Sequence, residues 1–299
     1  MRRHGTRLLL GLLLGLQVLA LSPAVGAAQI TCDPAPPAAS GATQASATPS
    51  PAASVPFPEE NGTLTVFAAA SLTDAFGEIA AMLEADQPNL EIVIETGGSQ
   101  TLVTQLQEGA EADVLATANI STMTTAVEAD LIAGEPVTFT GNRLVIVTPF
   151  DNPAGIESID DLANDDPLLV VANESVPAGT YSRQVLCAYG ASSAAPNGFL
   201  DSVAANVVSE EEDVRNVLAK VQLGEADAGI VYASDAVASG LAGDPVSVIE
   251  FPDGVPVTAT YPIAAVNGGH ADLANAFIAA ILAPEGQAIL AEYGFTPPS

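Results

Sequence analysis

The sequence predicts an α/β fold with largely parallel sheets. Short apolar runs rich in β-branched residues alternate with segments whose apolar residues recur at helical spacing, which is typical of this fold class. Small and turn-forming residues separate the two kinds of segment. The length of 299 residues suits one large domain or two lobes of ordinary size.

The first strand-to-helix junction is the stretch LTVFAAASLTDAF, from Leu64 to Phe76. Its first four residues form a predicted buried strand, and helical spacing begins at Leu72. We predict that Ser71 caps this helix, with Asp74 in the first turn. At such a junction the free backbone N–H groups of the helix and a hydroxyl can face an anion. An ordinary capped helix is the simpler interpretation of this stretch on its own.

Junctions of the same kind recur along the chain. Ser99 follows two glycines after a predicted strand, and we predict that it caps the next helix. A further helix is predicted to open at Val176-Pro177-Ala178-Gly179, because proline favours a first turn. Ser209 and Glu212 have capping-box spacing before the helix that carries Val214, and Tyr232 ends another strand. Helix starts that converge on one crevice would make an anion site without any basic side chain.

The first 28 residues form a predicted signal peptide. Arg2, Arg3 and Arg7 precede an apolar run that is too short for a comfortable membrane span and ends in small residues. Residues 29–62, mostly Ala, Pro, Ser and Thr, are predicted to be a disordered tether. The protein is therefore expected outside the cytoplasm.

The chain has two cysteines, Cys32 in the predicted tether and Cys187 in a predicted helix. A cysteine shortly after a signal peptide suggests a lipid anchor at Cys32, although the preceding residues lack the usual small-residue pattern. A Cys32–Cys187 disulfide and two free thiols are the alternatives in an oxidising compartment. The sequence leaves all three open.

The charge balance excludes several classes of partner. Three of the seven Lys and Arg residues lie in the signal peptide, which leaves four against 36 Asp and Glu, a net charge near −32. Nucleic acids and anionic membranes require clustered basic residues, so neither is an expected partner. An anionic ligand would have to overcome the repulsion of the whole protein through local dipoles, with the help of salt screening.

Catalytic and metal-binding patterns are absent from the sequence after the signal peptide. His270 is its single histidine and lies in a predicted surface turn, and no G-x-S-x-G or P-loop motif occurs. Zinc sites built on His and Cys are excluded for the same reason, and no EF-hand spacing is present. We therefore expect no enzyme activity, no cofactor and no metal cation, although paired carboxylates of a glycoside hydrolase would escape detection among so many acids.

Seven motifs, covering the chain from about Thr63 to its end, resemble the periplasmic molybdate-binding proteins of ABC transporters, which are type II solute-binding proteins. The combination of AAASL, VPAG and GIVY-x-SDA is the specific part. The motifs are VFAAASLTDAF, GGSQTLVTQLQEGAEADVLATAN, GNRLVIVTP, ESVPAGTYSRQVL, EEDVRNVLAKVQLGEADAGIVYASDA, YPIAAV and PEGQAILAEYGF.

The resemblance implies a two-lobed periplasmic-binding-protein-like fold, each lobe a mixed, mostly parallel sheet flanked by helices, with the ligand in the cleft between lobes. It implies that molybdate, and tungstate with it, is captured for the permease of an ABC importer by a monomer. The implied oxyanion ligands are Ser71, Ser99, Ala178, Val214 and Tyr232. It further suggests that the helix of Val214 begins near Glu211 or Glu212, which would leave the Val214 N–H free.

The predicted lobe boundaries are 63–146 with 260–299 for the first lobe and 147–259 for the second. Hinges are expected near Val147-Thr148 and Thr258-Thr260. Sulfate remains the closest rival ligand, because it has the charge and shape of molybdate and the sequence does not give the size of the cavity. A carboxylate hydrolase and an extracellular sensor or adhesion module are the alternatives from other functional classes.

Overall fold

The computed structural model describes residues 30–32, 57, 62–255 and 258–298. The predicted signal peptide and most of the predicted tether lie outside these residues. The described strands and helices largely alternate along the chain, as the sequence predicts. The strands are β1 Gly62–Ala69, β2 Leu90–Gly97, β3 Val114–Ala116, β4 Ile132–Thr148, β5 Leu169–Ala172, β6 Val207–Glu211, β7 Ala228–Tyr232, β8 Ser247–Ile249 and β9 Thr258–Val266. The helices are α1 Thr73–Asp86, α2 Ser99–Gln107, α3 Ile120–Glu128, α4 Pro177–Gly190, α5 Phe199–Asn206, α6 Val214–Gln222, α7 Ala233–Leu241, α8 Ala271–Leu282 and α9 Pro284–Glu292.

The strands form two sheets that share β4. The first has the order β2-β1-β3-β9-β4, and the second continues β4-β7-β5-β6, with β8 also on β4. Four of these strand pairings are parallel and four antiparallel, so both sheets are mixed, less parallel than the sequence predicts. The antiparallel pairs all involve β4 or β9, the strands at the junction of the sheets.

Strand β4 links the two sheets because its length of 17 residues lets it pair in both. Its residues from Ile132 to Arg143 pair with β9, and those from Leu144 to Val147 pair with β7. The partner therefore changes after Arg143, three residues before the predicted boundary between the lobes. With each sheet flanked by its own helices, the molecule is two-lobed.

Several predicted caps differ from the observed helix starts. Ser71 lies within a short 3-10 helix, Ala70–Leu72, and Leu72 is the N-cap of α1. Ser99 is the first residue of α2, and Gly98 is its N-cap. Ser209 lies in β6 and caps nothing, because the side chain of Asp213 accepts the Asn216 N–H and α6 begins at Val214.

A chain of buried aromatic rings lies beneath the junction of the sheets. Tyr261 on β9 packs edge-on against Tyr232 on β7, with ring centroids 5.7 Å apart, and also against Phe139 and Phe295. Edge-to-face contacts of this kind favour one arrangement of the rings. The aromatic chain therefore fixes the end of β7, where Tyr232 lies.

The N-terminal segment is attached to the second lobe through a disulfide between Cys32 and Cys187, whose Cα atoms are 5.6 Å apart. Ile30 packs beside Leu186 of α4 and Val207 of β6. Of the three alternatives left open by the sequence, the structure has the disulfide. A sulfur atom in a disulfide cannot also carry a lipid, so this bond and the predicted lipid anchor at Cys32 exclude each other.

Within the described residues, no single helix is long and apolar enough to cross a membrane. The pair α8 and α9, bent by 63° where they meet, reaches that length and composition only when the two are taken together.

Replacing both cysteines with alanine should lower the free energy of unfolding without changing the fold. The disulfide closes a loop over a sequence separation of 155 residues. Loop-closure entropy sets an upper limit of about 5 kcal/mol on its contribution. Urea unfolding of the Cys32→Ala/Cys187→Ala double variant, with reduced wild-type protein for comparison, measures the loss. Identical unfolding midpoints before and after reduction would show that the bond does not stabilise the protein.

Candidate functional site

A small pocket lies between the two sheets, where the carboxyl ends of their parallel strands meet. It has an empty volume of about 200 Å³. The residues that line it lie at the carboxyl ends of β1, β2, β3, β5, β6 and β7 or shortly after them. Crevices at the carboxyl ends of strands are the usual ligand sites of open α/β sheets. The lining residues are Ala69, Ala70, Gly97, Gly98, Ser99, Ala118, Val176, Pro177, Ala178, Asp213, Val214 and Tyr232.

Four of the five predicted ligand residues line this pocket: Ser99, Ala178, Val214 and Tyr232. The fifth, Ser71, is buried directly after the lining residue Ala70 and does not itself line the pocket. The fold therefore brings together residues that are up to 133 positions apart (Ser99 to Tyr232) in the sequence.

The starts of three helices supply the backbone N–H groups of the pocket. Ser99 and Val214 are the first residues of α2 and α6, and Ala178 is the second residue of α4 after Pro177, which has no N–H. The first N–H groups of a helix have no acceptor within the helix. They carry the positive end of the helix dipole, so the three starts together favour an anion.

Two glycines allow helix starts to approach neighbouring backbone closely: Gly98 of α2 lies against the start of α6, and Gly179 of α4 lies against the segment that follows β5. A Cβ atom on Gly98 would lie 2.5 Å from the carbonyl oxygen of Glu212, immediately before α6. A Cβ atom on Gly179 would lie 1.9 Å from the carbonyl oxygen of Asn173. Gln100 reinforces the first approach, since its Nε2 donates to the Glu212 carbonyl at 3.0 Å. The first lobe thus touches the second at the rim of the pocket.

Two hydroxyl groups in the pocket are available as donors. The Oγ of Ser99 accepts the Ala118 N–H at 3.1 Å, which leaves the hydroxyl hydrogen for another acceptor. The hydroxyl of Tyr232 is fully buried and has no hydrogen-bond partner among the described residues. Burial raises the pKa of Tyr232 well above 10, so this hydroxyl keeps its proton and can donate it. An unpaired buried hydroxyl is costly, which indicates a missing acceptor.

Ser71 belongs to a buried hydrogen-bond network next to the pocket. Its Oγ lies 2.9 Å from the hydroxyl of Tyr261. The Nδ2 of Asn142 lies 3.4 Å from the same Tyr261 hydroxyl and donates to Ser234 Oγ at 2.8 Å. The network links both lobes beneath the pocket. Sequence reasoning missed Tyr261 and Asn142 as partners of Ser71, because no local signal connects residues so far apart in the chain.

Among the residues that the structure describes, no basic side chain lines the pocket. Each of the four basic residues after the signal peptide is in an ion pair with a carboxylate: Arg143 with Glu250, Arg183 with Glu210, Lys220 with Glu211, and Arg215 with Asp74 and Asp235. Asp213 is the one charged lining residue, and its carboxylate is occupied by the Asn216 backbone and side-chain N–H groups of α6. The described residues also contain no group of three or more His, Cys, Asp or Glu that could hold a metal ion.

Asp235 is a buried carboxylate behind Tyr232. Its Oδ2 accepts the Tyr232 backbone N–H at 3.1 Å, and its Oδ1 lies 2.8 Å from Nε of Arg215. Burial raises the pKa of Asp235 to about 6, against the opposing effect of the Arg215 charge. Through its Oδ2, Asp235 binds Tyr232, the N-cap residue of α7.

Comparison with known proteins identifies the family. Residues 64–296 match the family described as bacterial extracellular solute-binding protein. The chain belongs to this family. The match begins at the third residue of β1 and ends after α9, so it covers the rest of the described strands and helices and includes every residue that lines the pocket.

Curated relatives include the molybdate-binding proteins ModA of Mycobacterium tuberculosis and Escherichia coli. The first is 38% identical over 237 residues, covering 79% of this chain and 85% of the relative. The second is 36% identical over 244 residues, covering 79% of this chain and 90% of the relative. Among solved structures, the periplasmic molybdate-binding protein of Azotobacter vinelandii superposes with a TM-score of 0.68 at 21% sequence identity. The superposition covers 79% of this chain and 100% of that protein. At that identity it supports the two-lobed fold alone.

The raised pKa of Asp235 should make the stability of the protein fall as the pH rises from about 4 to 6. Between its ordinary pKa of 3.8 and its folded pKa of about 6, the folded protein binds this proton more tightly than the unfolded chain. Deprotonating Asp235 therefore costs the folded state about 3 kcal/mol across this range.

Urea unfolding at pH 4, 5, 6 and 7 tests this prediction on the wild-type protein and the Asp235→Asn variant. The variant should show a flatter dependence of unfolding free energy on pH, since it lacks this titrating group. Parallel curves for the two proteins would contradict the assigned pKa.

Proposed function

We propose that this protein captures molybdate, and tungstate with it, and delivers the anion to the permease of an ABC importer. The single observation that carries this proposal is a small interlobe pocket with uncharged hydrogen-bond donors: three helix starts, the Ser99 hydroxyl and the unpaired Tyr232 hydroxyl. The similarity to curated molybdate-binding proteins supports the choice of ligand.

The chemistry of the donors favours a fully deprotonated dianion. Each group offers a hydrogen atom, and the one lining carboxylate, Asp213, is occupied by α6. A protonated oxyanion such as hydrogen phosphate would require an acceptor for its own hydrogen atom. Molybdate and tungstate carry no proton at neutral pH, so all of their oxygen atoms can accept.

The size of the pocket favours a small ligand. Its empty volume is only about 200 Å³, open space at its mouth included. Because the donors come from both lobes, they approach the site from several sides, as a tetrahedral oxyanion needs. Ser71 would join the set through its backbone N–H and hydroxyl, a contact that requires its hydroxyl to serve both Tyr261 and the ligand.

Membership of the extracellular solute-binding protein family supports the following biological setting. The protein would act outside the cytoplasm after removal of the signal peptide, as a binding protein without catalytic activity. Opening at the two connections between the lobes would admit and release the anion. We expect a monomer, because one chain supplies every residue of the pocket.

Replacing Tyr232 with phenylalanine should weaken the binding of molybdate about 10- to 100-fold, the effect of losing one hydrogen bond to a charged group. Calorimetric titration of the oxidised protein with molybdate, tungstate, sulfate and phosphate measures both affinity and preference. Tyr189→Phe is the matched control, since its hydroxyl donates to Asp160 at 2.6 Å and does not line the pocket.

The outcome of the titrations separates the alternatives. A preference for sulfate over molybdate would keep the site and move the transporter to sulfur uptake. If no oxyanion produces heat or a thermal shift with the wild-type protein, the proposed function is wrong and a sensor or adhesion role replaces it.

The large negative charge gives a second test, because it should repel a dianion at long range. Raising the NaCl concentration from about 10 to 150 mM shortens the screening length from roughly 30 to 8 Å. We therefore expect the association rate of molybdate to rise about three- to tenfold over this range. An association rate that falls with added salt would contradict this expectation, because it would show that the local dipoles of the helix starts outweigh the net charge at long range.

A further inference from the structure

Arg215 connects the two lobes beside the pocket. It is the second residue of α6, directly after the lining residue Val214. Its Nη2 pairs with the carboxylate of Asp74 on α1, in the first lobe. Its Nε lies 2.8 Å from Oδ1 of Asp235 on α7, which belongs with Arg215 to the second lobe. One guanidinium group therefore contacts carboxylates on both sides of the cleft.

The position of this arginine in its helix is unusual on electrostatic grounds. A positive charge in the first turn of a helix is disfavoured by the helix dipole. Here two carboxylates compensate for it, and their combined attraction raises the pKa of Arg215 despite its burial. Because this position is unfavourable for α6 by itself, it indicates that Arg215 serves the contact across the cleft.

The two carboxylates differ in exposure. The side chain of Asp235 is 0% exposed and also accepts the Tyr232 N–H, so it holds the guanidinium in place within the second lobe. The side chain of Asp74 is 38% exposed and is reached only across the cleft. When the lobes separate, the pair with Asp235 can persist, whereas the pair with Asp74 is broken and both groups are solvated.

We propose that Arg215 is a positioning residue for ligand capture: its ion pair with Asp74 forms when the cleft closes and holds the closed form around the bound anion. This inference rests on the proposed function. The pair adds stability to the closed form alone, so it shifts the equilibrium towards closure and raises the apparent affinity for any ligand that the closed form holds.

Asp74→Asn tests the proposal, because it removes the contact across the cleft and leaves the buried Asp235 paired. Glu78→Gln is the matched control: the same change of charge on the same helix, one turn later, at a residue that accepts from Tyr293 within the first lobe. Asp74→Glu keeps the carboxylate and should restore most of the wild-type behaviour. Arg215 is left in place, since its removal would strand a buried carboxylate.

Calorimetric titration with molybdate should show about two- to fivefold weaker binding for Asp74→Asn than for the wild-type protein, in line with a partly exposed ion pair. The direction of this change in affinity distinguishes the ion pair from a simple effect of charge. Removing a negative charge near an anion site would by itself strengthen binding, as Glu78→Gln should do slightly or not at all. Binding by Asp74→Asn that equals or exceeds that of Glu78→Gln would overturn the proposal.

Small-angle X-ray scattering without ligand gives an independent measurement. The radius of gyration of Asp74→Asn should exceed that of the wild-type protein and of Glu78→Gln, because the closed form loses its ion pair. Equal radii for the three proteins would overturn the proposal even if molybdate binds tightly. Absence of molybdate binding in the wild-type protein would refute the proposed function, and the scattering comparison would still decide whether Arg215 holds the lobes together.

Discussion

The rest of the structure depends on the convergence of helix starts at the carboxyl ends of parallel strands. The strands that end at the pocket lead, directly or through a short loop, into helices. The first N–H groups of such a helix have no partner within it. Because β4 belongs to both sheets, the strand ends of the two lobes face one cleft. The chain thus concentrates positive dipole ends in one place while carrying a net charge of −29. Local geometry, and not net charge, decides what the pocket can hold.

Close packing makes this convergence possible. Gly98 and Gly179 lie where any Cβ atom would collide with a backbone carbonyl, so two helix starts approach their neighbours more closely than other residues permit. Beneath them, the buried rings of Tyr232 and Tyr261 pack edge to face and join the two lobes. The hydroxyl of Tyr232 is consequently fixed at the pocket with its donor unused, as expected for a preorganised site.

The few basic residues of the described chain form ion pairs within the protein and do not line the pocket. Each is neutralised by at least one carboxylate, and Arg215 is shared by carboxylates of both lobes. A basic side chain in the pocket would bind many anions, whereas directed N–H and O–H groups discriminate by shape and by protonation. Keeping arginine at the rim of the cleft separates the closure of the lobes from the recognition of the ligand.

The sequence by itself determined the alternation of strands and helices, the strand-to-helix junctions and the identity of the residues there. These are local properties, set by the spacing of apolar residues and by turn chemistry, and they predicted four residues that line the pocket: Ser99, Ala178, Val214 and Tyr232. Motif resemblance was needed to join them into one site. The tertiary structure alone decided the caps at Gly98 and Asp213, the partnership of Ser71 with Tyr261, and the Cys32–Cys187 bond. The sequence could not give these contacts, because most of them join residues distant in the chain and the caps depend on how neighbouring segments pack.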